Sequence, residues 1–197
     1  MAGSTQAQTV NMTVPDVIIT SGETAELTCS LENSMEIAGW QMYLYLPEGI
    51  DIAYEEEDGE RYYDETVVLS SRHKRSHTCS ISPTADGGYL IQAYNPSKPT
   101  AINGNSGEIV SITLQADSGY SGANTATIKN VAVSDMGAVQ TNMVGDVTVN
   151  IIGPTPTDIS PVMTTADDEL RYDLNGRRMS KSQKGITVSK GRKVVVK

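Results

Sequence analysis

Two histidines and a cysteine lie close together in the sequence and are the residues best suited to hold a metal ion: His73, His77 and Cys79. Their spacing matches no zinc motif, and the lysine and arginine between the two histidines would repel a cation. We therefore predict that the chain holds neither a metal ion nor another cofactor.

Acidic residues are concentrated over 55–60, where carboxylates could in principle hold calcium. The run lacks the ligand spacing of an EF-hand loop, and a run of like charges usually lies in solvent. The sequence also contains no Gly-x-Ser-x-Gly elbow, no His-Glu-x-x-His helix and no Gly-rich phosphate loop. We therefore predict that this chain is not an enzyme.

Tyrosine supplies nine of the ten aromatic residues, and two tyrosines fall in a strongly alternating segment. In residues 37–46 the bulky apolar residues occupy one face, so the residues between them should point away from the core. The candidate binding residues are Gln41, Tyr43, Tyr45, Gln92 and Tyr94. Tyr43 and Tyr45, together with Tyr94 or with the pair Tyr62 and Tyr63, could stack against sugar rings while the glutamines bond to hydroxyls. The alternatives are that these tyrosines serve cross-strand packing, or that the C-terminal tail covers this face.

Strands must carry these side chains, because the composition favours β structure. The chain has 17 Gly and 8 Pro and lacks windows rich in helix-forming residues. Short alternating runs bounded by turn residues predict strands over 14–19, 24–31, 37–46, 66–70, 78–82, 89–94, 108–116, 125–133 and 144–152. The predicted fold is all-β, an antiparallel jelly-roll β-sandwich of about nine strands with a small C-terminal β-hairpin appendage.

The only two cysteines are Cys29, which faces the core of its predicted strand, and Cys79. Two cysteines permit one disulfide in an oxidising compartment. The alternative is a pair of free thiols buried like small apolar side chains.

Charge divides the chain unevenly. The net charge is −9, but from residue 171 onward nine Lys and Arg face one acidic residue, so this end carries +8 and the rest −17. We predict a leader or flexible N-terminus over 1–9, a sandwich over 10–152, a Pro- and Gly-containing linker over 153–168 and a basic β segment over 169–197.

The acidic body argues against nucleic acid as a partner. No apolar run is long enough to span a membrane.

The predicted sandwich resembles cohesins and the similarly folded carbohydrate-binding modules of families 2 and 3. Four blocks carry the resemblance and occur in the family's order: 21–24, 31–33 followed by 37–42, 107–114 and 126–135. It implies a nine-stranded jelly roll without catalysis that either holds a dockerin or contacts polysaccharide.

The C-terminal segment resembles the sorting tails of secreted Bacteroidetes proteins. The matching residues are Tyr172, Asp173, Leu174, Gly176, Arg177, Arg178 and Gly185. This resemblance implies recognition by export machinery of the type IX kind, and a secreted or cell-surface location.

The function expected from these observations is that of a non-catalytic extracellular or cell-surface binding module, with polysaccharide as its partner. The alternative is a cohesin-like scaffold or adhesion module that binds a surface or secreted protein. An acidic face complementary to a basic partner would support the alternative.

Overall fold

The computed structural model describes residues 8–63, 65–143, 145–154, 171–172, 178–179, 185–189 and 192–196. These residues contain strands, turns and bends but no helix, which confirms the all-β prediction. They accordingly include no helix long and apolar enough to cross a membrane. The chain divides into two compact units, Met1–Pro156 and Thr157–Lys197.

Fourteen strands belong to the described part of the first unit. They are β1 (Val10–Thr13), β2 (Val17–Ile18), β3 (Thr24–Asn33), β4 (Ile37–Tyr45), β5 (Ile50–Ile52), β6 (Glu55–Glu57), β7 (Glu60–Tyr62), β8 (Val67–Leu69), β9 (Thr78–Pro83), β10 (Tyr89–Tyr94), β11 (Glu108–Ala116), β12 (Ala123–Asp135), β13 (Gln140–Asn142) and β14 (Val147–Ile152).

Twelve of these strands form two sheets. One sheet has the order β1-β3-β11-β5, with β8 also beside β11, and the other has the order β2-β14-β12-β4-β10-β9, with β13 also beside β12. The pairing of β2 with β14 is parallel, whereas the other pairings within the two sheets are antiparallel.

The strand count exceeds the predicted nine because several short strands gave no clear signal in the sequence. The clearest case is the acidic run, to which no strand was assigned from the sequence and which forms the hairpin β6–β7. Asp58 and Gly59 have φ angles of 53° and 80° at its tip. Positive φ at both central residues is the geometry of a type I′ hairpin turn, for which Asp-Gly is well suited.

Side chains from the two sheets meet in one apolar core. Leu27 and Ile112 of the first sheet and Met42 and Ile91 of the second are fully buried. Burying a side chain of this size contributes about 1.5–3 kcal/mol. The alternation of buried and half-buried residues along β4, β10 and β11 therefore fixes which side chains point outward.

Of the two alternatives for the cysteines, the bridge between Cys29 and Cys79 is not formed, and both residues are free thiols. Cys29 lies in β3 of one sheet and Cys79 in the edge strand β9 of the other. Cys29 is fully buried in the core, whereas Cys79 is only partly buried against it from the sheet edge. Burial raises the pKa of Cys29 to about 12 and that of Cys79 to about 11, so both thiols are protonated at neutral pH.

The described residues of the second unit form a sheet of four short strands in the order β16-β15-β17-β18. These strands are β15 (Arg171–Tyr172), β16 (Arg178–Met179), β17 (Gly185–Ser189) and β18 (Arg192–Val196). The antiparallel pairing of β17 with β18 matches the predicted C-terminal hairpin.

The predicted sorting-tail residues fall partly within these strands. Tyr172, Arg178 and Gly185 lie in β15, β16 and β17 respectively, while Asp173, Leu174, Gly176 and Arg177 lie outside the described residues. The predicted linker from residue 155 onward and the first seven residues also lie outside them.

Candidate binding face

The predicted binding residues lie on the outer surface of the second sheet. On β4, Trp40, Met42 and Leu44 fill the core, so Gln41 and Tyr43, like Tyr45, point outward and stay half-buried. The alternation of β10 turns Gln92 and Tyr94 to the same side. The structure therefore brings all five residues onto one face.

Strand register arranges these residues in rows across the sheet. Gln41 stands opposite Gln92 of β10 and Ala132 of β12. We call this surface the neutral face, and its strand residues are Gly39, Gln41, Tyr43, Tyr45, Thr78, Ser80, Ser82, Leu90, Gln92, Tyr94, Thr127, Lys129, Ala132, Ser134, Gln140 and Asn142. A bulge between Lys129 and Ala132, where Asn130 has a φ of 50°, interrupts the β12 edge of the rows.

Lys129 is the one charged residue among the strand residues of the neutral face. The opposite outer surface is acidic, because Glu26, Glu32 and Glu108 point outward from the first sheet. The predicted acidic surface therefore exists, but it lies on the other side of the sandwich from the glutamines and tyrosines.

The tyrosines of the neutral face do not form a continuous aromatic platform. The hydroxyl of Tyr45 donates to Oδ2 of Asp86 at 2.8 Å, which raises the pKa of this phenol, and Nζ of Lys129 lies 5.1 Å from the ring centroid. Tyr43 pairs with Leu90 of β10, and Tyr94 lies four residues further along that strand. Tyr94 is therefore about 13 Å along the strand direction from the position of Tyr43.

Tyr62 and Tyr63, the other aromatic pair considered from the sequence, are separated by their environments. Tyr62 is exposed on the acidic hairpin. Tyr63 contacts the rings of Tyr54 and Tyr89 edge to face, with centroids 6.3 and 5.9 Å apart. The two side chains therefore do not act together as a stacking surface.

The basic turn after β8 contains His73 and His77, the histidines considered as metal ligands from the sequence, and both pack against the sandwich. The indole Nε1–H of Trp40 donates to Nε2 of His73 at 2.9 Å, and the rings of His73 and His77 meet edge to face with centroids 5.3 Å apart. The pKa of His73 is lowered from 6.5 to about 4, mainly by burial and to a lesser extent by repulsion from His77. Because a protonated Nε2 cannot accept the indole proton, this contact requires the neutral ring.

The sandwich is expected to lose stability as the pH falls from 6.5 to 4, the two pKa values of His73 in the unfolded and folded chain. In this window the unfolded chain binds a proton that the folded chain does not, so the free energy of unfolding decreases. For a half-buried imidazole we expect a loss of about 1–2 kcal/mol.

Urea unfolding followed by the fluorescence of Trp40, the only tryptophan, measures this loss. The variant His73→Gln keeps an acceptor for the indole but cannot titrate, so its stability should fall less over the same pH range. Equal losses in the two proteins would contradict the assignment to His73.

The fold of this chain, rather than its sequence, is similar to known proteins. No family model matches the sequence, and no curated protein matches it. Solved structures of cohesin modules do match: the CaCohA2 module of Clostridium acetobutylicum superposes with a TM-score of 0.56 at 14% identity, over 74% of this chain and 91% of that module. The chain has a cohesin-like fold.

Two further cohesins support the same conclusion. The OlpC cohesin of Clostridium thermocellum, in a type I cohesin–dockerin complex, gives a TM-score of 0.54 at 14% identity and covers 78% of this chain and 99% of its own. The cohesin module of a family 33 glycoside hydrolase from Clostridium perfringens gives 0.53 at 12% identity, over 76% and 99%. The predicted cohesin-like sandwich is confirmed as a fold.

Proposed function

We propose that this chain is a non-catalytic module that binds a protein partner through the neutral face. The observation that carries the proposal is the neutral face itself, an open sheet surface rich in amide, hydroxyl and tyrosine groups on an otherwise acidic body. The fold adds support, because the similar OlpC and OlpA cohesins were solved in complexes with dockerins.

The composition of the neutral face suits a protein interface. Interface cores are depleted in charged residues and enriched in tyrosine, and the neutral face has both properties. The side chains of Gln41 and Gln92 each offer a donor and an acceptor, so they can pair with main-chain groups of a partner. The rows extend about 20 Å both along and across the strands at standard strand spacing. This area is a substantial part of what one partner contributes to a normal interface.

The polysaccharide hypothesis has weaker support. The rings of Tyr43 and Tyr94 are too far apart along the sheet to be neighbours, and Tyr45 is engaged by Asp86. The similar solved structures named above are cohesins.

A panel of purified dockerin modules and a glycan array, each presented to the purified chain, tests the proposal. We expect saturable binding to a dockerin, with an affinity that changes less than about threefold between about 0.1 and about 0.5 M salt, because one lysine is the only charge in the rows. Saccharide binding without dockerin binding would contradict it, as would a dockerin complex that dissociates in salt.

We further propose that residues 169–197 direct the module to the cell surface through export machinery. The basic composition of this segment and its resemblance to sorting tails support the proposal. The segment also belongs to a compact unit separate from the sandwich. Truncation after Gly153 is expected to abolish surface display in the native host while the unfolding temperature of the sandwich changes little. Protease accessibility on whole cells measures display, and normal display of the truncated chain would contradict the proposal.

A further inference from the structure

The loop that joins β12 to β13 is closed by an unusually complete set of hydrogen bonds. Oδ1 of Asp135 accepts the main-chain N–H groups of Gly137 and Val139, each at 2.8 Å. Two main-chain bonds add to these, from the N–H of Asp135 to the carbonyl of Val139 and from the N–H of Ala138 to the carbonyl of Asp135, both at 3.0 Å. The loop is therefore held in one conformation.

This conformation places an alanine where glycine would be easier to accommodate. Ala138 has a φ of 61°, in the left-handed region, which costs a residue with a Cβ about 1–2 kcal/mol. Such strain persists where the surroundings fix the backbone, and it is concentrated at functional sites. Here it fixes a methyl group at the edge of the neutral face.

The same loop exposes large apolar side chains. Val139 is 59% and Met136 41% exposed, and the neighbouring Tyr94 is 45% exposed. Isolated exposed apolar residues are common, so the cavities beside Tyr94, rather than these exposures, carry the argument.

Two cavities lie on either side of Tyr94 and Ala138, which line both of them. The first, about 230 Å³, opens over Gly39 and Gln92 on the neutral face. The second, about 280 Å³, is bounded by Ala38 and the segment 95–99. A Cβ on Gly39 would lie 3.2 Å from Cβ of Tyr94, so the glycine keeps the space beside this tyrosine open.

We infer that Tyr94 and Ala138 form the anchor point of the interface, with an aliphatic side chain of the protein partner filling the first cavity. This inference rests on the proposed function and names the chemistry of the partner. No charged residue lines the first cavity, whereas Lys98 and Asp135 both line the second, where the Oδ1 of Asp135 is already occupied by its own loop. An uncharged occupant therefore matches the first cavity, which is continuous with the neutral face.

Titration with 2-methylpropan-1-ol, a minimal aliphatic probe, tests the site without a known partner. We expect saturable chemical-shift changes in the amide signals of Gly39, Tyr94 and Ala138. Val68, an exposed valine at 56% on the first sheet, serves as the matched control and should not respond in a saturable way. The absence of saturable shifts around Ala138, or equal shifts around Val68, would overturn the inference.

The variant Ala138→Asp links the site to partner binding. Aspartate tolerates a positive φ better than alanine, so the loop should fold, but a charge would stand between the two cavities. We expect loss of the alcohol response and at least about tenfold weaker dockerin binding, with Val68→Asp unchanged. If Gln92→Arg abolishes dockerin binding and Ala138→Asp does not, the anchor inference fails while the proposed function stands. If no dockerin binds, the proposed function fails, and the alcohol titration still decides the site.

Discussion

Replacing Arg72 with alanine is expected to destabilise the sandwich by about 3 kcal/mol, the largest effect of a single substitution that we predict. The guanidinium uses all five of its N–H donors. Nε donates to the carbonyl of Asn103 at 2.8 Å, and the two Nη atoms donate to the carbonyls of Leu31, Gly107 and Gly104 and to Oδ1 of Asn33, at 2.8–3.0 Å. Arg72 thus ties its own turn to the end of β3 and to the turn before β11.

The size of the effect follows from the acceptors that the variant would leave behind. Hydrogen bonds from a charged donor contribute about 1.5–3 kcal/mol, and part-buried carbonyls without a partner add a further cost. Urea unfolding monitored by Trp40 fluorescence measures the change. Arg72→Lys should retain only part of the stability, because a lysine has three donors and no planar fork.

Arg75 provides the matched control, since it is exposed in the same turn. Arg75→Ala should change the free energy of unfolding by no more than about 0.5 kcal/mol. If Arg72→Ala were no more harmful than Arg75→Ala, the structural role assigned to Arg72 would be wrong.

The variant Gln92→Arg is expected to weaken dockerin binding by about 100-fold or more. Gln92 lies in the middle of the rows of the neutral face, opposite Gln41. A guanidinium there would be buried against an uncharged partner surface without a counter-charge, which is strongly unfavourable. Titration calorimetry with the dockerin identified in the panel measures the loss.

Gln115 supplies the control for this substitution. It is an equally half-buried outward glutamine, but it lies on β11 in the opposite sheet. Gln115→Arg should leave the affinity unchanged, and both variants should unfold close to the wild-type temperature. Equal losses of affinity in the two variants would contradict the assignment of the binding surface to the neutral face.

Period-two alternation allowed much of the sandwich to be predicted from the sequence. The predicted strands 89–94 and 108–116 have the bounds of β10 and β11, because their buried side chains recur at every second residue. The same argument placed Gln41, Tyr43 and Tyr45 outward, since Trp40 and its alternate neighbours had to face the core.

Register between distant strands could not be predicted in this way. Gln41 and Gln92 are neighbours because β4 pairs with β10, and no local pattern fixes that pairing. The loop strain at Ala138 likewise depends on the capping carboxylate of Asp135 and has no signature in composition.

Charge runs were the least informative part of the sequence. Arg72 and Arg75 belong to one basic turn, yet the first is part of the hydrogen-bonded framework and the second is exposed. The acidic run contained the Asp58-Gly59 turn signal, but the flanking glutamates have none of the apolar alternation that identifies a hairpin. Tertiary contacts therefore decide the role of Arg72, whereas β6 and β7 pair only with each other and the local Asp-Gly turn supports their hairpin.

Hydroxyl-radical footprinting of the chain, with and without its bound dockerin, tests the central claim most directly. Tyr94 on the neutral face and Tyr62 on the acidic hairpin are 45% and 43% exposed, so they form a matched pair of reporters. We predict that bound partner lowers the oxidation of Tyr94 and leaves that of Tyr62 unchanged. Protection of Tyr62 with full oxidation of Tyr94 would contradict the claim that the neutral face is the binding surface.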